Sequence, residues 1–510
     1  MIQNASRDVK VRIMNNRMEA DAYGEVAIPA EAYWGPQTER SRHLFAIGNE
    51  CLPDDVIHCF GAQKVAAARA NMALGLLPEQ FGNAIIAAAT ELQQGRFDRQ
   101  FPVVVWQTGS GTQTNMNANE VIANRANEML GHALGARKPV HPNDHVNKGQ
   151  SSNDTFPTIM HISVLRAVFN ILVPAGKTLV TSLAKRADEF HHHAKLGMTH
   201  LQDALPVTLG MEFRAWQHQV ETALERIEKQ AQELCELPQG GTASGSGVNG
   251  NPEFASLVAK DLSAFAGQPL RASQAPSYLM ASHDVFAGLC GSLNTLASAL
   301  IKTCTDIRLL TSSLGGTPSM TLPDDGLSSS IMPAKRNATV CEAVIQVCMR
   351  VIGNSAAVVA ANNSSVLQLN TCKPLILNET LNSIYLLADA QKVLASGCID
   401  GLGADREALG ASLAKSPVLG AILGPVIGYD MAARLTRECW DSGIPMRDIL
   451  ERDGILSGAE FDHHLRQALN PDHLDRSKTD ADVTADTRAD PKADQQGATI
   501  LQARKAGGGL

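Results

Sequence analysis

The chain has 510 residues and a net charge of −8, which makes it long enough for two or three domains and gives it no electrostatic basis for a nucleic-acid partner. Aromatic residues make up only 4% of it, while Ala, Leu, Val and Ile dominate, a balance that suits long packed helices rather than a β-sandwich. No stretch reads as an unbroken run of the ~18 apolar residues a bilayer span needs, so no membrane partner is expected.

Residues 1–20 carry basic side chains without an apolar core, which predicts a flexible N-terminal extension and argues against a secretion signal. An N-terminal domain is expected over 21–149, built of shorter elements rich in Gly, Pro and Asn, with an Ala-rich helix over 63–77. Within it, Gly109-Ser110-Gly111-Thr112-Gln113-Thr114-Asn115-Met116-Asn117 is almost wholly polar or glycine, yet it closely follows the apolar run Val103-Val104-Val105. Polar groups beside a buried run need partners, and a ligand can be one of them. A second tract of this kind runs from His141 to Asp154 and includes Asn143, Asp144, Ser151, Ser152 and Asn153.

Beyond it the hydrophobic period lengthens. Ile162, Leu165, Phe169 and Leu172 step by three and four, and Leu179, Leu183, Ala187 and Phe190 extend the stripe past Pro174. This predicts one long helix kinked at the proline. Phe286, Leu289, Leu293, Leu296, Leu300, Cys304 and Ile307 give a stripe of nearly heptad spacing, which needs partner helices along its length. The Ser-rich loop Ser328-Ser329-Ser330-Ile331-Met332-Pro333-Ala334-Lys335-Arg336-Asn337 then leads into the helical pattern of Val344, Val347 and Val351. An ammonium and an amide two residues apart, beside a helix start, would hold a carboxylate and stabilise negative charge developing on it. Helices over 340–362 and 376–397 complete a central bundle domain, 150–403. A small helical domain follows over 404–473, and the tail 474–510 has too few large apolar residues to order itself.

Ten cysteines lie between Cys51 and Cys439 with no C-x-x-C pair and no Cys/His metal spacing, which fits a reducing cytoplasm and no metal. Gly245-Ser246-Gly247-Val248-Asn249-Gly250 matches a dinucleotide fingerprint literally, but it neither follows a β-branched strand nor opens a helix. His191-His192-His193 reads as a solvated helix end, and Pro142 rules against a metal-binding helix through His141 and His145.

Three of these tracts, together with Thr199-His200-Leu201-Gln202-Asp203-Ala204, resemble the fumarase/aspartase superfamily, and most closely its class II fumarases. The likeness covers 17–473 in the same order. It implies a mainly α fold, with a long central helix bundle flanked by two smaller, mostly helical domains. It also implies a homotetramer whose active sites each draw on three subunits. The reaction implied is reversible hydration of fumarate, a small dicarboxylate, to L-malate, with no metal and no other cofactor. By the same resemblance Ser329 is the general base, His200 handles the proton of the water or leaving hydroxyl, and Glu342 orients and charges His200. Ser110, Thr112, Asn115, Ser151, Ser152, Asn153, Thr199, Lys335 and Asn337 are then the substrate-binding set, and His141, Asn143 and Asp144 match a second dicarboxylate position. His200 and Ser152 separate the chain from aspartase-like members, which carry Gln and Thr there.

The chain departs from the family pattern at Ser328, where Gly is usual, at Arg336 and Ala338, and at Met198, which replaces an Arg. Two alternatives follow from these departures: a related lyase releasing fumarate from an amino-substituted or larger succinate, and a non-catalytic scaffold that keeps only the packing.

Overall fold

The computed structural model describes residues 15–314, 318–327, 331–332 and 335–469. The chain divides into two compact units, one taking in Met1–Asp188 and Glu212–Ala404, the other Glu189–Met211 and Asp405–Leu510. The segment Glu189–Met211, which the sequence places within 150–403, thus groups with the C-terminal helices.

The first unit opens with an antiparallel hairpin of β1 (Asn16–Asp21) and β2 (Gly24–Pro29). The flexible extension expected to reach residue 20 is corrected here. The Arg17 guanidinium donates to the carbonyls of Pro29, Ala30, Ala32 and Trp34 and pairs with Glu19, which fixes the strand. Four helices follow: α1 (Pro36–Leu44), α2 (Asp54–Ala73), α3 (Glu79–Gln93) and α4 (Thr112–Met129). Helix α1 has no side-chain cap of its own. Glu120 of α4 supplies one, accepting from the backbone N–H groups of Gly35, Gln37 and Thr38 and from the Thr38 hydroxyl. A carboxylate at a helix N-terminus satisfies orphan donors and the dipole together.

The bundle begins with α5 (Ser152–Ala167) and α6 (Val173–Glu189). The pattern does run through Pro174, and the geometry that carries it is a π-helical turn, Val168–Leu172, placed just before the proline. Such a turn absorbs the missing N–H and the ring without ending the helix. After α7 (Leu209–Ala231), α8 (Phe254–Ala266) and α9 (Pro276–Ala281) come the three long helices α10 (Asp284–Leu310), α11 (Thr339–Asn362) and α12 (Lys373–Gly397). These pack in succession, α10 on α11 and α11 on α12. Every residue of the α10 stripe from Phe286 to Ile307 is fully buried.

By length and hydropathy three helices do reach the threshold for a membrane span: the continuous Ser152–Glu189, Asp284–Leu310 and Thr339–Asn362. The expectation of none is corrected, because Ala, Val and Cys spread through a helix raise its mean without forming a visible apolar run. In the first, 78% of the apolar window is buried inside the protein, against 39% for the third. Its exposed remainder includes Met349, Ile352 and Val359, at heptad-compatible spacing on one face of α11.

The second unit combines the hairpin β3 (Ala194–Thr199) and β4 (Gln202–Thr208) with α13 (Arg406–Lys415), α14 (Gly420–Ile427), α15 (Tyr429–Ser442), α16 (Met446–Arg452) and α17 (Gly458–Ala468). Leu196 of the hairpin joins a core with Leu413, Leu435, Met446 and Phe461. Ser416 also donates to Asp203, tying β4 to the helices.

Candidate active site

Two helix N-termini meet where the first two polar tracts lie. Helix α4 starts after Gly111, whose φ of +76° and contact with the Phe156 ring leave no room for a side chain. Gly109 is equally constrained: an added Cβ would fall on the carbonyl oxygen of Thr371, and its own carbonyl accepts from the Lys373 N–H at the start of α12. Gly111 has no side chain to cap α4, Gln107 Oε1 accepts from the Thr114 N–H of its first turn at 3.0 Å, and no acidic side chain lies in that turn. The Ser110 and Thr112 hydroxyls, 2.8 Å apart, stand beside that positive end. An anion is the ligand such a corner suits.

Helix α5 starts with a capping box. The Ser151 hydroxyl accepts from the Asn153 N–H, and the Ser151 N–H donates to Asp154 Oδ1 at 2.9 Å. Asn115 Nδ2 donates to Ser152 Oγ at 2.9 Å, which joins the two tracts. Asn153 gives one amide hydrogen to the Ala243 carbonyl, leaving the other for a ligand. Ser110, Thr112, Asn115, Ser151, Ser152 and Asn153 therefore belong to two adjoining helix starts. Beside Ser151 opens a cleft of about 480 Å³, walled by Gln150 and by Thr242, Ser244, Ser246 and Asn249 of the glycine loop. Just before the stretch whose spacing imitates a dinucleotide fingerprint, the N–H groups of Gly240 and Thr242 donate to Asp154 Oδ2 and anchor the site.

Asp154 is fully buried, and burial pushes its carboxyl up from 3.8 to about 6 against the pull of three backbone N–H groups and of Lys64. Its folded value exceeds its unfolded one, so its contribution to stability is complete below pH 3.8 and fades as pH rises through about 6. Asp154→Ala is expected to flatten that part of the stability–pH curve. It should also lower stability at every pH by about 3 kcal/mol, because three N–H groups lose their acceptor. Urea midpoints between pH 4 and 8 check both effects; an unchanged slope would contradict the assignment.

The remaining residues lie elsewhere. His141 caps the π-helical turn Pro142–Val146, its Nδ1 accepting from the Asn143 and Asp144 N–H groups. Arg137 reaches its other nitrogen at 3.2 Å. Burial first, with Arg137 adding to it, lowers the His141 pKa against the opposing Asp144. Arg137 was missed in the sequence, where it is a lone cation near a proline. Thr199 and His200 are exposed at the tip of the β3–β4 hairpin, in the second unit. Ser329 lies outside the described residues, as do Ser328, Ser330, Pro333 and Ala334. Lys335 and Asn337 are exposed just before α11, and Glu342 in its first turn pairs with Arg308 at 3.6 Å. Among the described residues no group of three or more His, Cys, Asp or Glu is placed to hold a metal ion.

One spatial relation within the first unit governs the rest. Asn337 shares a small pocket with Gly397 and Cys398, at the C-terminal end of α12. Gly109 is hydrogen-bonded to Lys373, at the N-terminal end of the same helix. Helix α12 has 25 residues, so these ends stand about 37 Å apart. A four-carbon diacid cannot touch both Asn337 and Thr112 of one chain.

A family described as lyase matches residues 24–353. The class II fumarate hydratase 2 of Bradyrhizobium diazoefficiens is 44% identical over 447 residues, covering 88% of this chain and 94% of that protein. The class II fumarate hydratase of Rhizobium meliloti is 44% identical over 453 residues, covering 89% and 98%. Among solved structures, the class II fumarase of Schistosoma mansoni matches with a TM-score of 0.85 and 34% identity, over 89% of this chain and 99% of that one.

Proposed function

The chain belongs to the lyase family, in its class II fumarate hydratase branch, and we propose that it interconverts fumarate and L-malate in sites shared between subunits of a homotetramer. The reaction follows from the relatives' activity together with His200 and Ser152, the two positions where aspartase-like members differ. The sharing is carried by a single observation, the separation of Asn337 from Thr112 along α12. Copies packed antiparallel through their long helices would bring the Lys335–Asn337 end of one chain to the hydroxyl-lined helix starts of another. The exposed apolar stripe of α11 at Met349, Ile352 and Val359 supports such packing.

In the direction of malate dehydration, a C–H beside a carboxylate is removed, the electrons collect on that carboxylate as an enediolate-like dianion, and the hydroxyl leaves as water. The acidity of that C–H is the difficulty, so fixed donors must meet the charge as it forms. Lys335 and Asn337 are assigned to the carboxylate that takes up charge. Ser110, Thr112, Asn115, Ser151, Ser152, Asn153 and Thr199 hold the two ends of the diacid. Ser329 is assigned as base and His200 as the group that protonates the leaving hydroxyl. Glu342 would exchange its long ion pair with Arg308 for the imidazole of a neighbouring subunit. The Arg137 guanidinium beside His141 supports a second dicarboxylate position there, with Asn143 and Asp144. Cytoplasmic residence is supported by ten unpaired cysteines.

Purified protein given L-malate is expected to produce the ultraviolet absorbance of fumarate, and equally well after dialysis against a chelator. No absorbance change at high enzyme concentration would sink the hydratase reading. Loss of activity on chelation would sink the metal-free mechanism alone.

A further inference from the structure

Behind the two helix starts lies a charge that the mechanism does not use. Lys64 of α2 is fully buried. Its ammonium donates to Asn115 Oδ1, Asn147 Oδ1 and Gln150 Oε1, each at 3.0 Å. All three of its hydrogens are thereby used, and every acceptor is a neutral amide oxygen. Burial brings its pKa down to about 7, and among the described residues Asp154 of α5 opposes this, favouring the ammonium. Gln63 also donates to Gln150 Oε1, at 2.9 Å. A buried ammonium without a carboxylate in contact is costly, and packing alone would be served better by an apolar side chain of the same length.

The arrangement does have a directional consequence. An asparagine amide fits its site almost equally well in either orientation, and its neighbours decide which end faces where. Lys64 claims the oxygen of Asn115, so the NH2 end must face Ser152, and it donates to Ser152 Oγ at 2.9 Å. The Ser152 oxygen is then an acceptor on that side, and its own proton is left to point outward from the start of α5. Donor sense thus runs from ammonium to amide to hydroxyl to whatever anion stands in front.

We propose that Lys64 is a positioning residue for the dicarboxylate: it fixes Asn115 and Ser152 as a chain of donors aimed at one substrate carboxylate, and supplies positive charge to that end without touching it. The identity of the anion rests on the fumarate hydratase reading; the donor chain does not.

The test measures binding of succinate, a non-reacting four-carbon diacid, by calorimetry alongside malate turnover. Lys64→Met should keep the helical content and assembled mass, weaken succinate binding about 10- to 100-fold, and raise KM more than it lowers kcat. Wild-type affinity should fall as pH rises through about 7, where free Lys64 loses its proton, and this limb should vanish in Lys64→Met. Asn115→Asp keeps the contact to Lys64 but removes the donor toward Ser152, and should reproduce the loss of affinity. A folded Lys64→Met that binds succinate as wild type does, with the same pH dependence, overturns the proposal. Should that variant fail to assemble, wild type alone decides: succinate binding at pH 8 must take up protons, compared in two buffers of different ionisation heat, and no uptake overturns the proposal. Lys64-dependent succinate binding without malate turnover would instead sink the hydratase reading and leave this one standing.

Discussion

His200→Asn leaves the fold intact and lowers malate turnover by about 10²- to 10⁴-fold, the range that a positioned acid–base group supplies. The backbone makes this variant informative. His200 and Leu201 link β3 to β4 with φ of +55° and +59°, the left-handed pair of a two-residue hairpin turn. Asparagine tolerates that conformation better than most L residues. The variant therefore removes the imidazole without loading strain on the turn, and thermal stability should hold or rise slightly. The side chain is exposed at the hairpin tip, so no packing is lost with it. Circular dichroism melts and fumarate absorbance on the same preparation separate the two effects. Turnover within a few-fold of wild type would remove His200 from the mechanism; a large drop in melting temperature would make the hairpin, not the chemistry, its reason for being there.

The long helices are legible in the sequence because their stripes report burial directly, as Leu289, Leu293, Leu296 and Leu300 do. The polar tracts are legible as well, since a run such as Gly109–Asn117 beside buried valines has few other uses. What is hidden is the set of partners those tracts choose. Lys64 and Asn115 are 51 positions apart and Gln63 and Gln239 are 176 apart, and no local pattern couples them. The same holds for Asp154, whose carboxylate is met by the N–H groups of Gly240 and Thr242, 86 and 88 positions away. The β1 strand escapes detection because Arg17 is bound by backbone carbonyls, which carry no residue identity.

Arg336, a departure from the family pattern, has one ion-pair contact among the described residues. Beside Lys335 it suggests a site for a more highly charged substrate. Its guanidinium instead meets Asp324 at 3.2 Å, in a pair exposed on both sides. An exposed pair of this kind is worth less than about 1 kcal/mol, so it neither anchors the loop strongly nor withholds the guanidinium from a competing anion.

Lys335→Met should lower turnover by about 10²- to 10³-fold, the loss seen when one fixed donor to a developing oxyanion is removed. The ammonium has no ion-pair partner among the described residues, so no described carboxylate is left uncompensated and stability should not change. Ser110→Ala/Thr112→Val strips both hydroxyls from the start of α4 and should be similarly impaired. Mixing the two inactive proteins under conditions that exchange subunits then tests whether Lys335 and Thr112 of one site come from different chains, as the length of α12 demands. With random exchange, half of the Lys335 positions and half of the hydroxyl pairs are intact, so about a quarter of wild-type turnover should return. If both groups of a site came from one chain, every site in the mixture would carry one defect or the other, and no activity would be recovered.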